Sequence, residues 1–145
     1  MTTQTQTALG FDYGRKRIGI AIGQTLTQTA RALNILPARD GKPQWHEVEK
    51  LIREWRPDLL IVGLPLHMDG SEHQITIEAR RFSRQLEGRY RLPVILQDER
   101  LSSWAVEQAL KTSPKTETSG KIDHLSAQLI VQDWLQTQTT KEDDE

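Results

Sequence analysis

The sequence predicts a mixed α/β fold whose five-stranded sheet joins an antiparallel meander to parallel strands, with helices on both faces. Two features carry this prediction. The first third of the chain contains apolar runs separated by short turns, whereas the remainder alternates helical apolar patterns with short, fully apolar runs. Helices between strands are typical of parallel crossovers, so the predicted element order is βββαβαβαα.

The antiparallel part begins with a predicted hairpin. Strands are expected at residues 8–13 and 17–23, and residues 14–16, Gly-Arg-Lys, supply a tight connection. A third strand with a weaker pattern is expected at 27–36. Pro37 and the turn sequence ARDGKP should end it.

The rest of the chain pairs helices with strands. Apolar residues recur at helical spacing in the helices, and the two strands are continuous apolar runs of the kind that parallel sheets bury on both faces. Pro57 should end the first helix and Gly88 the second. The expected helices lie at 44–56, from a Ser71 cap to about 88, from Ser102 or Ser103 to about 110 and at 121–137, and the strands at 58–65 and 92–99.

Composition limits the class of protein. The 145 residues fit one domain at 8–137, between a tail at 1–7 expected to be disordered and a flexible acidic tail at 138–145, with a loop at 111–120. The chain has no cysteine, which excludes disulfides and thiol catalysis. No apolar run approaches the ~20 residues of a membrane span, and the N-terminal residues lack the features of a signal peptide. We therefore expect a cytoplasmic protein without a membrane partner.

Charge is unevenly distributed along the chain. The net charge is −1, but the last five residues, KEDDE, contribute −3, so the rest carries +2. Arg15, Lys16 and Arg17 form one basic cluster, and five arginines between positions 80 and 91 form another. These clusters are either solvated faces or a phosphate-binding surface. The loop VGLPLHMDGS at 62–71 leads into a helix, and is either an ordinary turn or an anion site at a helix N-terminus.

Four acidic residues stand at the ends of predicted elements. Asp12 ends the first strand, Asp98 and Glu99 end the last, and Asp123 opens the final helix. If these ends converge, the carboxylates would repel one another unless divalent cations neutralised them. Two such ions could activate a water and stabilise the leaving oxygen in phosphodiester hydrolysis, and Mg²⁺ suits oxygen ligands of this kind.

Each acid also has an ordinary structural explanation. Asp123 could be a first-turn acid favoured by the helix dipole, and Asp98 or Glu99 could form an ion pair or cap a helix. Asp12 is less easily explained in this way, because aspartate disfavours strands and a buried carboxylate is costly. If Asp12 is functional, Gly10 would leave room beside it for a phosphate backbone.

Four sequence blocks resemble, in order and spacing, the signature of the YqgF/RuvX family. They are LGFDYGRKRIGIAIG, IVGLPLHMDGS, QDERLSS and GKIDHLSAQLIVQDWL, and the resemblance covers nearly all of residues 8–137. It implies an RNase H-like fold, in agreement with the element order above. It also implies a cytoplasmic nuclease dependent on Mg²⁺ or Mn²⁺, which either processes the 5′ end of pre-16S rRNA or resolves Holliday junctions.

The matched blocks also imply the site residues. Asp12, Glu99 and Asp123 correspond to the catalytic metal ligands, with Asp98 as the alternative to Glu99 because adjacent strand residues face opposite sides of a sheet. The expected nucleic-acid-binding residues are Arg15, Lys16, Arg17, Gly63, Pro65, Gly70, Ser71, Arg100 and Lys121.

Four functions remain open at this point. The first is cleavage of an RNA precursor, and the second is the same chemistry on branched DNA, which needs two active sites and therefore a dimer. A phosphotransferase or ATPase would use the first hairpin as a phosphate loop, but would need a second domain of the same kind. A non-catalytic RNA-binding module would tolerate loss of the acids. The expected partner is RNA, or else structured DNA, bound by a monomer or weak homodimer.

Overall fold

Across the residues that the structure describes, a six-stranded mixed sheet forms the centre of the molecule and helices cover both faces. The computed structural model describes residues 5–65, 69, 71–98 and 126–137. Its strands are β1 (Thr7–Asp12), β2 (Arg17–Gln24), β3 (Thr29–Arg39), β4 (Lys42–Pro43), β5 (Leu59–Leu64) and β6 (Val94–Asp98), and its helices are α1 (Trp45–Trp55), α2 (Gln74–Tyr90) and α3 (126–137).

The strand order is β4-β3-β2-β1-β5-β6. Strand β1 is central, antiparallel to β2 and parallel to β5, and β6 extends the parallel part to the edge. The predicted mixed sheet is confirmed, but it has six strands in the described part rather than five. The carboxyl ends of β1, β5 and β6 all lie at the same end of the sheet.

The additional strand arises because β3 does not end at Pro37. It continues for two more residues, and a turn at Asp40 and Gly41 leads into β4. Both turn residues have positive φ, 52° and 81°, as in the type I′ turn that Asp-Gly favours. Ala38 donates its N–H to the carbonyl of Lys16 at 2.8 Å. The nitrogen of the preceding residue, Pro37, therefore faces away from β2, toward the side of β4. Pairing with β4 does not extend to Pro37, so no hydrogen bond between strands is lost there and proline is tolerated.

Two apolar layers cover the two faces of the sheet. Alternate residues of the central strands, such as Phe11 and Val62, pack against α1 and α2, and the ring centroids of Phe11 and Phe82 are 5.6 Å apart. The residues between them, such as Ala8 and Ile61, pack with α3. Burial on both faces explains the continuous apolar runs, and the prediction of helices on both faces is confirmed.

Helix α2 differs from the prediction at both ends. Ser71 does not cap it, because the N–H and hydroxyl of Ser71 both bind Asp69 Oδ1, at 2.9 and 2.7 Å, and the N-cap is His73. Gly88 does not end it, since the helix continues for two residues until Arg91 adopts the left-handed C-cap conformation (φ 58°). A Cβ at position 88 would meet nothing within 4 Å, so this glycine simply occupies the exposed side of the helix.

Other boundaries also shift. Strand β1 begins at Thr7, inside the predicted tail, and β6 is a half-buried edge strand rather than one buried on both faces. The helix expected from Ser102 or Ser103, the loop at 111–120, the acidic tail and residues 121–125 lie outside the described residues. No helix within the described ranges is long and apolar enough to cross a membrane.

Candidate active site

Asp12 is the last residue of β1, at the carboxyl end of the central strand. Its strand neighbours Leu9 and Phe11 pack against α1 and α2, whereas Ala8 packs with α3. Because side chains alternate along a strand, Asp12 and Gly10 belong to the face that α3 covers. Asp12 is half-buried there, which distinguishes it from a solvated turn residue.

Gly10 allows α3 to pack directly on this face. A Cβ added to Gly10 would collide with the Val131 side chain and lie 3.8 Å from the carbonyl oxygen of Ala127. The space beside Gly10 is therefore filled by the helix. The expectation that this glycine leaves room for a phosphate backbone is wrong.

A second glycine shows the direction of α3. A Cβ on Gly23 would also collide with Val131 and would lie 3.3 Å from Leu135 Cδ1. Gly23 lies beside the start of β1, whereas Gly10, which contacts the earlier helical residues, lies nearer its end. Helix α3 therefore runs antiparallel to β1, and its earlier residues lie toward the Asp12 end.

Strand β5 separates Asp12 from β6, so the ends of the first and last strands do not pair directly. Gly63 is paired with Gln97, and one step beyond the Phe11–Val62 pair it lies level with Asp12. Two strand spacings put Asp12 and Gln97 about 10 Å apart. Gly63, which is buried, contributes no side chain to this face between them.

Asp98 ends β6 on the other face of the sheet. Ile95 packs in the α3 layer and Val94 in the α1–α2 layer. Alternation then places Gln97 on the face of Asp12, and Asp98 on the opposite face with Val94. Asp98 therefore lies at the same end of the sheet as Asp12 but on the opposite face.

The first basic cluster divides between the two faces. Arg15 is bound through two hydrogen bonds, 2.8 and 3.0 Å, to the Glu78 carboxylate on α2. These hydrogen bonds hold the pKa of the Glu78 carboxyl below its ordinary value, and Glu78 raises the pKa of the Arg15 guanidinium. Lys16 is exposed. Arg17 is exposed next to Ile18, which packs in the α1–α2 layer, so Arg17 lies on the face of Asp12.

The β3–β4 hairpin holds the turn between β1 and β2 in place. Gly41 donates its N–H to the Arg15 carbonyl at 2.9 Å, and the Tyr13 hydroxyl donates to the Gly41 carbonyl at 3.0 Å. Burial raises the pKa of Tyr13, which keeps this donor protonated. A Cβ on Gly14 would lie 2.5 Å from the carbonyl oxygen of Arg17, so the turn needs glycine there, as the sequence predicted.

The segment after β5 is tied to the first turn of α2. The hydroxyl of Thr76, which is fully buried, donates to the carbonyl of Pro65 and accepts the N–H of His73 at 3.2 Å. Gly63 and Pro65 therefore have fixed positions near the carboxyl end of the sheet. The other expected site residues, Gly70, Glu99, Arg100, Lys121 and Asp123, lie outside the described residues.

Within the described ranges, no three His, Asp or Glu side chains cluster in a way that could hold a metal. Two of the three expected ligands, Glu99 and Asp123, lie outside those ranges.

The sequence did not predict Glu78 as the partner of Arg15. The two residues are 63 positions apart, and no local pattern signals such a contact.

Comparison with known proteins decides the family. A family model described as "RuvX: Holliday junction resolvase" matches residues 6–137. The chain belongs to the RuvX family. A protein of Aeromonas salmonicida is 47% identical to this RuvX chain over 136 residues, covering 92% of it and 97% of the relative. One of Shewanella denitrificans is 47% identical over 138 residues, covering 94% and 98%. Both carry the name "Putative pre-16S rRNA nuclease".

Solved structures support the fold of the RuvX chain. Thermus thermophilus RuvC in complex with a Holliday junction aligns with a TM-score of 0.51 at 16% identity, covering 88% of this chain and 91% of RuvC. At that identity the likeness shows a shared fold alone. The predicted family and nuclease class are confirmed: the RuvX chain is an enzyme that hydrolyses phosphodiester bonds. Nucleases of this kind generally depend on divalent metal ions.

Proposed function

We propose that the chain cleaves phosphodiester bonds with divalent cations held by Asp12, Glu99 and Asp123. The three carboxylates would come from the end of β1, the segment after β6 and the segment before α3. The observation that carries this proposal is the course of α3 over the sheet.

Residues at four-residue intervals on one side of α3 meet the sheet progressively closer to the end of β1. They are Leu135, Val131 and Ala127. The next position in this series is Asp123. Four helical residues advance about 6 Å and two strand residues about 6.6 Å. The proposal requires the four-residue step from Ala127 to Asp123 to match the two-residue step from Gly10 to Asp12.

Alternation along β6 supports Glu99 over Asp98 as the second ligand. Asp98 faces the α1–α2 layer, and Gln97 faces the side of Asp12. Glu99 follows Gln97 by two positions, which is the spacing of residues that share one side of a strand.

A donor set of three carboxylates fits Mg²⁺ or Mn²⁺. Both are hard cations that prefer oxygen ligands, and Mg²⁺ commonly takes substrate phosphate oxygens as well. When bound, two such ions would activate a water and stabilise the leaving oxygen. Asp12 would hold one carboxylate at a fixed point, because its strand is hydrogen-bonded on both sides.

As substrate we assign the precursor of 16S rRNA, cleaved at its 5′ end. The names of the relatives that match this chain over more than nine-tenths of both sequences support pre-16S rRNA as the substrate, and the family resemblance implies its 5′ end. Such a substrate would place the protein in the cytoplasm.

A cleavage assay of Asp12→Asn tests the site. Losing even an outer partner of a metal ligand costs 10–100-fold, so removing a ligand should lower Mg²⁺-dependent cleavage of a pre-16S leader RNA by roughly 100-fold or more. Circular dichroism should show an unchanged fold. Glu54→Gln is the control, because Glu54 is exposed on α1, away from the carboxyl end of β1. Cleavage by Asp12→Asn at the rate of the control would refute the assignment.

A second candidate is resolution of Holliday junctions, favoured by the description of the family model. Symmetric cleavage of a four-way junction requires two active sites, so this function requires a dimer. Light scattering at assay concentration, together with parallel cleavage of leader RNA and a four-way junction, separates the two candidates. A monomer that cleaves only the leader would exclude the resolvase function.

A further inference from the structure

We propose that the β3–β4 hairpin forms a second contact surface for the phosphate backbone of the substrate, with Arg39 and Lys42 as its binding residues. This inference rests on the proposed nuclease function, because it concerns how the substrate is held beside Asp12. Neither residue belongs to either of the two basic clusters that the sequence indicated.

The first argument is position. Leu36 and Ala38 pack toward the α1–α2 layer, so alternation places Arg39 on the other face of the sheet, which is that of Asp12 and Arg17. Strand spacings put the Cα of Arg17 about 8 Å and the Cα of Arg39 about 16 Å from that of Asp12. The two arginines therefore follow one direction away from the Asp12 carboxylate.

The second argument is an uncompensated repulsion. Arg39 and Lys42 are direct cross-strand partners in β4, a strand of only two residues. Like charges directly opposite each other destabilise a strand pair. In the described part of the chain neither side chain forms an ion pair, and neither does Asp40 between them. An anion bound across the pair would relieve this repulsion, which is what a phosphate group supplies.

The third argument is continuity with the β1–β2 turn. Ala38 donates to the Lys16 carbonyl and Gly41 to the Arg15 carbonyl, so hairpin and turn form one rigid surface. Four cations belong to this surface in addition to the Glu78-bound Arg15, and Asp40 is the one acid among residues 36–43. The four are Lys16, Arg17, Arg39 and Lys42.

Salt-dependent binding tests the proposal without relying on catalysis. In the Asp12→Asn background, anisotropy would follow a fluorescein-labelled pre-16S leader duplex from 50 to 200 mM salt. Each phosphate contact on a duplex contributes about 0.9 to the slope of log affinity against log salt. Neutralising Arg39 and Lys42 together, with Arg39→Gln and Lys42→Gln, should make the slope shallower by about 1.8 and weaken binding roughly tenfold at 100 mM.

The control removes the same charge from the opposite face. Lys50 and Arg84 are exposed on α1 and α2, so Lys50→Gln with Arg84→Gln should change the slope by less than about 0.5. An unchanged slope in the hairpin variant, or an equal loss in the control, would overturn the hairpin surface while leaving the nuclease proposal standing. Parent protein that binds neither the leader nor a four-way junction would overturn both.

A charge reversal provides a second test in which stability and binding change in opposite directions. Lys42→Glu would replace the repulsion with a cross-strand attraction to Arg39. It should raise the Tm by up to about 4 °C and weaken leader binding more than roughly tenfold. Unchanged binding, or a lower Tm, would overturn the proposal. A higher Tm with weaker binding would support it, because a merely misfolded variant would lose both.

Discussion

At the scale of single residues, the first turn shows how neighbouring positions take different roles. Asp12 ends β1 on the α3 face, whereas Arg15 reaches α2 on the other face and is held there by Glu78. Three consecutive cations looked equivalent in the sequence, but Arg15 is bound to α2 on one face, and Arg17, next to Ile18, lies on the face of Asp12. We therefore interpret Arg15 as a residue that fixes the turn, and Arg17 as the substrate contact.

The Arg15–Glu78 pair predicts a pH-dependent contribution to stability. Arg15 lowers the pKa of Glu78 in the folded state. The contribution is therefore complete above the ordinary value of 4.5 and is lost as the pH falls through the lowered folded-state value. We expect Glu78→Gln to lower the Tm by at most about 3 °C at pH 7, because the pair is exposed and screened by water. Thermal melts should show the difference from wild type shrinking toward pH 3.

Two comparisons complete this test. The Tm difference between Glu78→Gln and the wild type should also shrink in 1 M salt, where the Debye length is about 3 Å. Glu87→Gln, at an exposed position of the same helix, should show no such pH dependence. A Glu78→Gln difference that stays constant from pH 7 to pH 3 would contradict the role of the charge.

At the scale of elements, hydrophobic pattern determined most of what could be predicted. The buried strand β5 and the helix at Trp45–Trp55 lie within one residue of their predicted bounds, because their apolar periodicity dominates local propensity. The errors fall where a partner far along the chain overrides a local signal. Pro37 remains in β3 because its nitrogen faces the side to which β4 does not extend, and Gly88 remains in α2 because the C-cap bond forms later, from Arg91 to Glu87.

The candidate site shows the same division. The sequence places Asp12 at a strand end, because its position in the apolar run is a local property. It gives Gly10 the wrong role, since the contact with Val131 depends on how α3 crosses the sheet. It leaves Asp98 and Glu99 as alternatives, because the register of β6 with β5, which places Asp98 on the face opposite Asp12, is not a local property.

Gly10 provides a prediction about how α3 is held. Gly10→Ala places a methyl group against Val131, and overpacking of this kind costs typically 1–3 kcal/mol. If α3 carries Asp123 to Asp12, cleavage should fall as well, because a displaced helix moves a ligand. Urea unfolding and the leader cleavage assay measure the two effects.

A compensating substitution of Val131, the residue that Gly10 contacts, is the control for Gly10→Ala. Val131→Ala removes the colliding methyl groups, so the double variant should recover part of both stability and activity relative to Gly10→Ala alone. Strictly additive effects in the double-mutant cycle would contradict direct packing between the two residues.

At the scale of the whole molecule, the charge pattern distinguishes the apolar layers of the sheet from the end that we propose binds the substrate. The apolar layers on both faces of the sheet hold the fold together. Charged residues such as Asp12 and Arg17 lie at the end where β1, β5 and β6 finish, and there Arg39 and Lys42 stand directly opposite each other although like charges repel. Ligands that neutralise these charges should therefore raise the stability of the whole domain.

Metal binding should be visible in global unfolding even without substrate. If the proposed three carboxylates converge, Asp12→Asn should melt at or above the wild-type Tm in EDTA, because it removes one of three mutually repelling charges. Mg²⁺ at 100 times its Kd should stabilise the wild type by about 2.7 kcal/mol, a rise of roughly 9 °C for a domain of this size, and should stabilise Asp12→Asn far less. Calorimetry with and without Mg²⁺ measures both differences.

Asp40→Asn should respond to Mg²⁺ like the wild type, since Asp40 is exposed in the hairpin turn. An equal response of Asp12→Asn and wild type to Mg²⁺ would mean that Asp12 is not a metal ligand.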